Sequence, residues 1–202
     1  MPPLRREDLR EDPLDQFADW FELARAEAPL AEAMTLATVD ERGLPDARMV
    51  LLKGFGPDGF RFFTNHGSRK GQQLAGRPAA ALVLYWPELD RQVRARGEVE
   101  RLSDADSDAY FETRSRDSRI GAWASPQSRR LESRAELDRL VAEVEDRFDG
   151  ADVTRPEHWG GYLLRPATIE FWQGQVPRLH DRVVYSREGR EDGGWRIERL
   201  GP

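Results

Sequence analysis

Gly56-Pro57-Asp58-Gly59 stands between two apolar runs, Met49-Val50-Leu51-Leu52 and Phe60-Arg61-Phe62-Phe63-Thr64, and this pattern narrows the fold more than any other. Proline presets one turn dihedral and glycine accepts the positive φ that tight reversals need, so the run reads as a hairpin turn. Its first arm is expected over Asp46 to Phe55 and its second over Phe60 to Thr64. A tight turn joins antiparallel strands, whereas parallel neighbours would need a crossover of a dozen or more residues.

The rest of the chain extends that theme. Strands are expected at Ala33 to Val39, Ala79 to Trp86, Arg91 to Leu102, Tyr162 to Leu164, Thr168 to Trp172, Arg182 to Ser186 and Trp195 to Leu200. Helices fall between the strand groups. Asp12-Pro13 opens one that carries Leu14, Phe17, Trp20, Phe21 and Ala24 at helical spacing to about Ala28. Others are expected over Gly67 to Ala75, Ser103 to Arg114, Ser118 to Trp123 and Ser133 to Phe148, the last with Leu137, Leu140, Val141, Val144 and Phe148 on one side. Strands joined by hairpins, with helices inserted between groups, predict a mainly β, α+β fold: an antiparallel barrel with flanking helices. No GxGxxG follows a strand, which disfavours a doubly wound dinucleotide fold. No repeat or linker-like composition interrupts residues 1–202, so one domain is expected.

Composition removes whole classes of function. Cysteine is absent, which excludes disulfides, thiolate metal sites and a cysteine nucleophile. His66, His158 and His180 are too dispersed for a zinc motif. A net charge of −6 argues against a general nucleic-acid or membrane-surface binder, so an anionic ligand would need a local basic pocket. The charged N-terminus lacks a secretory apolar core, and Ala79 to Trp86 is too short to span a bilayer. The expectation is a soluble, cytoplasmic protein.

The basic pocket has a candidate. Lysine and arginine total 31, yet the only lysines are Lys53 and Lys70, and both lie in the hairpin window. Asn65-His66-Gly67-Ser68-Arg69-Lys70 leads from the second arm into a helix. Free N–H groups and the helix dipole there favour an anion, and Arg69 and Lys70 add charge where cations are usually avoided. Tyr110, Arg114 and Ser118 could converge as a second phosphate seat, although on these residues alone a basic surface patch is the preferred reading. Gln127-Ser128 is a polar loop. Arg178, His180 and Arg182 alternate after Glu170-Phe171-Trp172-Gln173-Gly174, and in an extended chain they would project together beside the tryptophan.

Taken together, RMVLLK, FFTNHGSRK, LDRQV, YFETRSRDSRIGAW, PQS, WGGYLL, EFWQG and RLHDR, in this order and spacing, resemble the pyridoxamine (pyridoxine) 5′-phosphate oxidase family from about Leu9 to the end. The resemblance implies an FMN-binding split β-barrel with sites at a homodimer interface. It implies FMN contacts at Arg48, Met49, Val50, Leu51, Leu52, Lys53, Phe63, Thr64, Arg69, Lys70, Gln92, Gln127, Ser128, Trp172 and Arg182. The substrate, pyridoxamine or pyridoxine 5′-phosphate, would be held by Lys53, Tyr110, Arg114, Ser118, Arg178, Leu179 and His180, with Arg178 and His180 nearest the reacting carbon. The implied reaction is oxidation at C4′ to pyridoxal 5′-phosphate, with O2 accepting the electrons and hydrogen peroxide and, from the amine, ammonia released. Two departures stand out: the family's N-terminal lid is expected to be absent or differently built, and Ser115 replaces an expected proline beside Arg114. A flavin or pyridoxal-phosphate carrier without turnover and a split-barrel reductase with another substrate stay open as alternatives.

Overall fold

The computed structural model describes residues 2–187 and 194–202. Its helices are Pro13–Glu27 (α1), Arg69–Gly76 (α2), Asp104–Glu112 (α3), Arg116–Ala124 (α4) and Arg134–Arg147 (α5). Its strands are Ala33–Val39 (β1), Pro45–Leu51 (β2), Gly54–Gly56 (β3), Gly59–Asn65 (β4), Ala79–Trp86 (β5), Arg91–Arg101 (β6), Trp159–Gln173 (β7), Asp181–Ser186 (β8) and Arg196–Arg199 (β9). All nine belong to one antiparallel sheet ordered β2-β1-β5-β6-β7-β4-β3, with β8 branching from β7 and β9 pairing β8. The expected mainly β fold with flanking helices is what forms.

Two expected strand boundaries change. Tyr162 to Leu164 and Thr168 to Trp172 are parts of the single 15-residue strand β7. Its first half lies between β6 and β4, and its second half between β6 and β8. The exchange occurs around Pro166, which cannot donate a ladder hydrogen bond. Opposite it the register with β6 shifts at Arg96/Gly97. A Cβ on Gly97 would lie 1.9 Å from the Arg165 carbonyl oxygen, so only glycine allows the two backbones to meet there.

The second correction concerns the hairpin. The turn is correct, with Gly56 opposite Gly59, but Asp46 to Phe55 is not one arm. β2 pairs with β1, and only the three residues of β3 pair with β4. The switch is visible in consecutive amides: Leu52 N–H donates to Glu32 at 2.8 Å, and Lys53 N–H donates to Arg61 at 2.9 Å. Leu52 is buried at the crossing point while Lys53 is exposed, so burial of one side chain fixes where the chain changes partner.

Alternation along the strands sends Met34, Leu36, Leu82, Leu84, Val93, Phe171 and Tyr185 inward. Helix α1 closes that face. Asp12 caps it by accepting from Leu14 N–H at 2.7 Å, and Phe17 packs edge-on against Phe55 and Phe60 at 4.8 and 4.9 Å. Each such side chain contributes about 1.5–3 kcal/mol by leaving water. Helix α5 has the expected apolar side, but none of its residues is fully buried. Val141 and Val144 pack against a satellite cluster of Ile120, Phe148 and Val153. No helix among the described residues is long and apolar enough to cross a membrane.

The close approach at the bulge yields a test. Gly97→Ala should destabilise the protein by about 3 kcal/mol or more, since relieving the clash requires moving backbone. Gly76→Ala, in open space at the end of α2, should leave the melting temperature unchanged or raise it. Equal melting temperatures for the two variants would refute this account of the bulge.

Candidate functional site

The expected site residues assemble into two groups. The first surrounds the N-terminus of α2. Ser68 caps the helix by accepting from Gly71 N–H at 3.3 Å, and a Cβ on Gly71 would meet the His66 carbonyl at 2.2 Å, so the turn is tightly wound. That winding puts Lys70 inside the protein at 8% exposure, with Arg69 outside. The Lys70 ammonium donates to Thr64 Oγ1 at 3.2 Å and Gln127 Oε1 at 2.8 Å. Thr64 Oγ1 also donates to Gln127 Oε1 at 3.0 Å.

Both of the lysine's partners are neutral, and no carboxylate ion-pairs with it among the described residues. Burial, together with the nearby Arg48 charge, pulls its pKa below the ordinary lysine value. A desolvated cation facing neutral dipoles favours an added anion. Arg48 is held differently. It pairs with Asp46 at 2.6 Å and donates to Thr38 Oγ1 at 2.5 Å and Gln73 Oε1 at 3.1 Å. Asp46 is kept below the usual carboxylate range by its bond from Gln73 and, despite some burial, by Arg48.

Along β2 the side chains divide. Met49 and Leu51 are exposed at 62% and 41%, Val50 packs against the core and Leu52 is buried. The side chains of Val50 and Leu52 support the core, so in that run these two positions present backbone outward. Lys53 is exposed in the gap before β3.

Tyr110, Arg114 and Ser118, the expected second seat, abut this group through Phe63. Its ring stacks on Tyr110 at 3.9 Å and on Trp159 at 5.5 Å. Arg114 lies over Trp159 at 4.5 Å, and its Nη1 is buried without a hydrogen-bond partner. Burial lowers the Arg114 pKa and raises that of Tyr110. Ser118 lies in the first turn of α4, and the departure at Ser115 has a structural role there. Ser115 caps the helix by accepting from Ser118 N–H at 3.3 Å, and the two hydroxyls are 2.9 Å apart.

The second group lies at the other end of the sheet. Gln92, Trp172 and Arg182 occupy one register row across β6, β7 and β8. His180 packs against Trp172 with ring centroids 4.8 Å apart. Arg182 is braced by Glu170 at 2.9 Å, and Glu170 is also paired with Arg94. Burial opposes ionisation of Glu170, but the bonds from Arg182 and Arg94 prevail and hold it below the usual carboxylate range. A cavity of about 420 Å³ opens beside Arg94, Glu170 and Arg182.

The expectation of an extended Arg178-His180-Arg182 face is overturned. β8 begins at Asp181, and Arg178 lies in a turn with φ 88° that is closed by its N–H donating to Gln175 at 2.8 Å. Arg178 and Leu179 are exposed, and His180 is half-buried. Among the described residues only Asp90, Ser128 and Arg178 are non-glycines at positive φ, and two of these three are candidate site residues. Such strain persists where surrounding structure imposes it, commonly at functional sites.

The two groups do not meet within the chain. Thr64 pairs with Gly160 and Arg182 with Trp172, twelve residues apart on β7, which is roughly 40 Å of extended strand. Sequence reasoning missed Thr38, Asp46 and Gln73 around Arg48, the stacking role of Trp159, and Glu170 as the brace of Arg182. The period-two spacing of Asp46 and Arg48, and the place of Glu170 two residues before Trp172, were the available signals.

Comparison with known proteins decides the family. A model described as pyridoxamine 5′-phosphate oxidase matches residues 22–148, and one described as pyridoxine 5′-phosphate oxidase C-terminal dimerisation region matches 159–202. The chain belongs to the pyridoxamine 5′-phosphate oxidase family. It is 54% identical over 196 residues to the pyridoxine/pyridoxamine 5′-phosphate oxidase of Burkholderia thailandensis, covering 96% of this chain and 91% of that one. The enzyme of the same name from Burkholderia mallei is 53% identical over the same shares. Among solved structures, PhzG from Burkholderia lata, in complex with tetrahydrophenazine-1-carboxylic acid, superposes with TM-score 0.90 at 29% identity over 98% of both chains. A pyridoxamine 5′-phosphate oxidase-related, FMN binding protein from Nostoc punctiforme shares the fold, with TM-score 0.74 at 21% identity over 93% of this chain and 96% of that one. As a member of this oxidase family the chain is an oxidase and a flavoprotein.

His66, behind the Lys70 turn, gives this region a pH signature. Its Nδ1 is 3.1 Å from the Tyr162 hydroxyl. Burial first, then Arg101, Arg155 and His158, lower its pKa to about 4, with Asp104 opposing them. Because the folded value lies below the unfolded one, the unfolded state takes up the proton first as pH falls. Denaturant stability should therefore decline from about pH 6.5 towards pH 4, and less steeply in His66→Gln. Parallel profiles for the two proteins would contradict a neutral, buried His66.

Proposed function

We propose that this enzyme oxidises pyridoxamine 5′-phosphate and/or pyridoxine 5′-phosphate to pyridoxal 5′-phosphate, using FMN and O2. In this reading it works as a homodimer of single-domain chains in which each site is shared. The observation that carries the reading is the combination of two under-neutralised cations, Lys70 and the unpartnered Nη1 of Arg114, on either side of the Phe63 position. One seat suits the cofactor phosphate and the other the substrate phosphate.

The residues fit FMN. Lys70 and Arg69, with Thr64 and Gln127 as polar neighbours, would hold its phosphate. The Arg48 to Lys53 strand would run beside it, and Gln92, Trp172 and Arg182 would complete the pocket. The chemistry FMN supplies when bound is two-electron oxidation at C4′, with O2 as final acceptor and hydrogen peroxide as product.

The protein's own work is placement. Tyr110, Arg114, Ser118 and Lys53 would anchor the substrate phosphate, while Arg178 and His180 orient and polarise the ring. Leu179 would border it. Water then converts the imine from the amine substrate into aldehyde and ammonia. Separation of the two half-sites along β7 supports the dimer, because one mononucleotide cannot bridge both ends of that strand. The outward Met49, Leu51 and Tyr85 side chains supply apolar surface for such a contact.

Purified protein should carry a flavin spectrum that bleaches when pyridoxamine 5′-phosphate is added without air and returns, with peroxide, on oxygenation. A bound flavin with no bleaching would favour the carrier reading. Lys70→Ala should weaken FMN binding by about 10- to 100-fold. Arg114→Ala should raise KM for the phosphorylated substrate by a similar factor while flavin content is unchanged. Loss of flavin from Arg114→Ala would reverse the assignment of the two seats.

A further inference from the structure

Residues 174–180 carry Arg178 and His180, and that loop is organised on Gln175. The Gln175 backbone N–H donates to His180 Nδ1 at 3.1 Å, and its carbonyl accepts from Arg178 N–H at 2.8 Å. Its carboxamide Nε2 donates to Asp181 Oδ2 at 3.0 Å and to the Pro2 carbonyl at 3.4 Å.

Asp181, 7% exposed, is where three segments meet. Besides Gln175 its carboxylate accepts from Leu4 N–H at 3.1 Å and from the Arg199 guanidinium of β9. Gln173 Nε2 adds a bond to the Pro2 carbonyl at 2.7 Å. The N-terminal segment, the C-terminal strand and the loop are thus tied through one buried carboxylate, and removing a donor from it costs more than an exposed bond would.

This arrangement has a chemical consequence. A backbone N–H only donates, so His180 Nδ1 must present its lone pair, and the neutral ring then carries its proton on Nε2. We propose that Gln175 is a positioning residue: held by Asp181 and the Pro2–Leu4 strap, it locks His180 in the Nε2–H tautomer. His180 thereby offers the substrate a hydrogen-bond donor and not a base. The inference rests on the reading that His180 faces the substrate, but its first test does not depend on turnover.

Long-range 1H–15N spectra of labelled holoenzyme at pH 8, with His180 assigned by its loss in His180→Gln, should show a proton on Nε2 and none on Nδ1. A proton on Nδ1 would overturn the proposal. Gln175→Ala should blur that signature into a mixture of tautomers and lower kcat on the order of 5- to 10-fold, with flavin content and KM nearly unchanged. Gln175→Glu, similar in bulk but facing Asp181 with a second carboxylate, should do no better than alanine. Wild-type spectra and kcat in both variants would also overturn the proposal. If a variant does not fold, the spectrum of the unmodified enzyme still decides. An Nε2–H signature in a protein that neither holds flavin nor turns over would support the tautomer lock while refuting the functional reading.

Discussion

The structure depends on one strand serving three partners. β7 must pair with β6 along most of its length while exchanging β4 for β8 on its other edge. Backbone groups buried in a sheet must be paired, and the exchange leaves a short interval where ladder geometry fails. Pro166, which has no amide hydrogen, and Gly97, which has no Cβ, occupy that interval. The same exchange sends Thr64 to one end of the strand and Arg182 to the other. The device that splits the barrel also separates the two groups of candidate site residues.

The charges follow the same division. At the β4 end Arg48 is paired with Asp46, but Lys70 has no carboxylate ion pair among the described residues and its hydrogen bonds go to neutral oxygens. At the β8 end Arg182 and Arg94 are satisfied through Glu170, and Arg199 through Asp181. The first arrangement leaves a buried cation that favours an added anion, whereas the second fixes its arginines through buried carboxylates. In the proposed reading a phosphate bound at Lys70 would offset the cost of burying that charge.

Much of this was legible in sequence, and the failures share a cause. The turn at residues 56–59, the α1 stripe and a helix opening at the Lys70 turn follow from local chemistry and form, but the Gly71 N–H expected to be free there is capped by Ser68. The hairpin arm over Asp46 to Phe55 failed because periodicity reports which residues are buried but not which strand covers them. Only the Leu52 and Lys53 amides reveal the change of partner. β7 was read as two strands because Pro166 mimics a terminator unless the opposing Gly97 bulge is known. The period-two reading of Arg178, His180 and Arg182 failed because that rule presumes extended backbone, and a residue at φ 88° breaks it. Within the site the chemistry of the side chains was readable, but their bracing was not. Gln73 and Trp159 act through contacts long-range in sequence, and nothing local announces them; for Glu170 the local signal is its place two residues before Trp172.

The central claim is that neither chain owns a complete site. Two variants damaged in different halves, Lys70→Ala and His180→Ala, can be co-expressed with distinct tags and the mixed dimer isolated. Pairing across a two-fold axis then rebuilds one intact site and leaves one doubly damaged, so the mixed dimer should regain roughly half of wild-type turnover. Activity no higher than the mean of the two parent variants would show that each site is built within one chain, and would contradict the account.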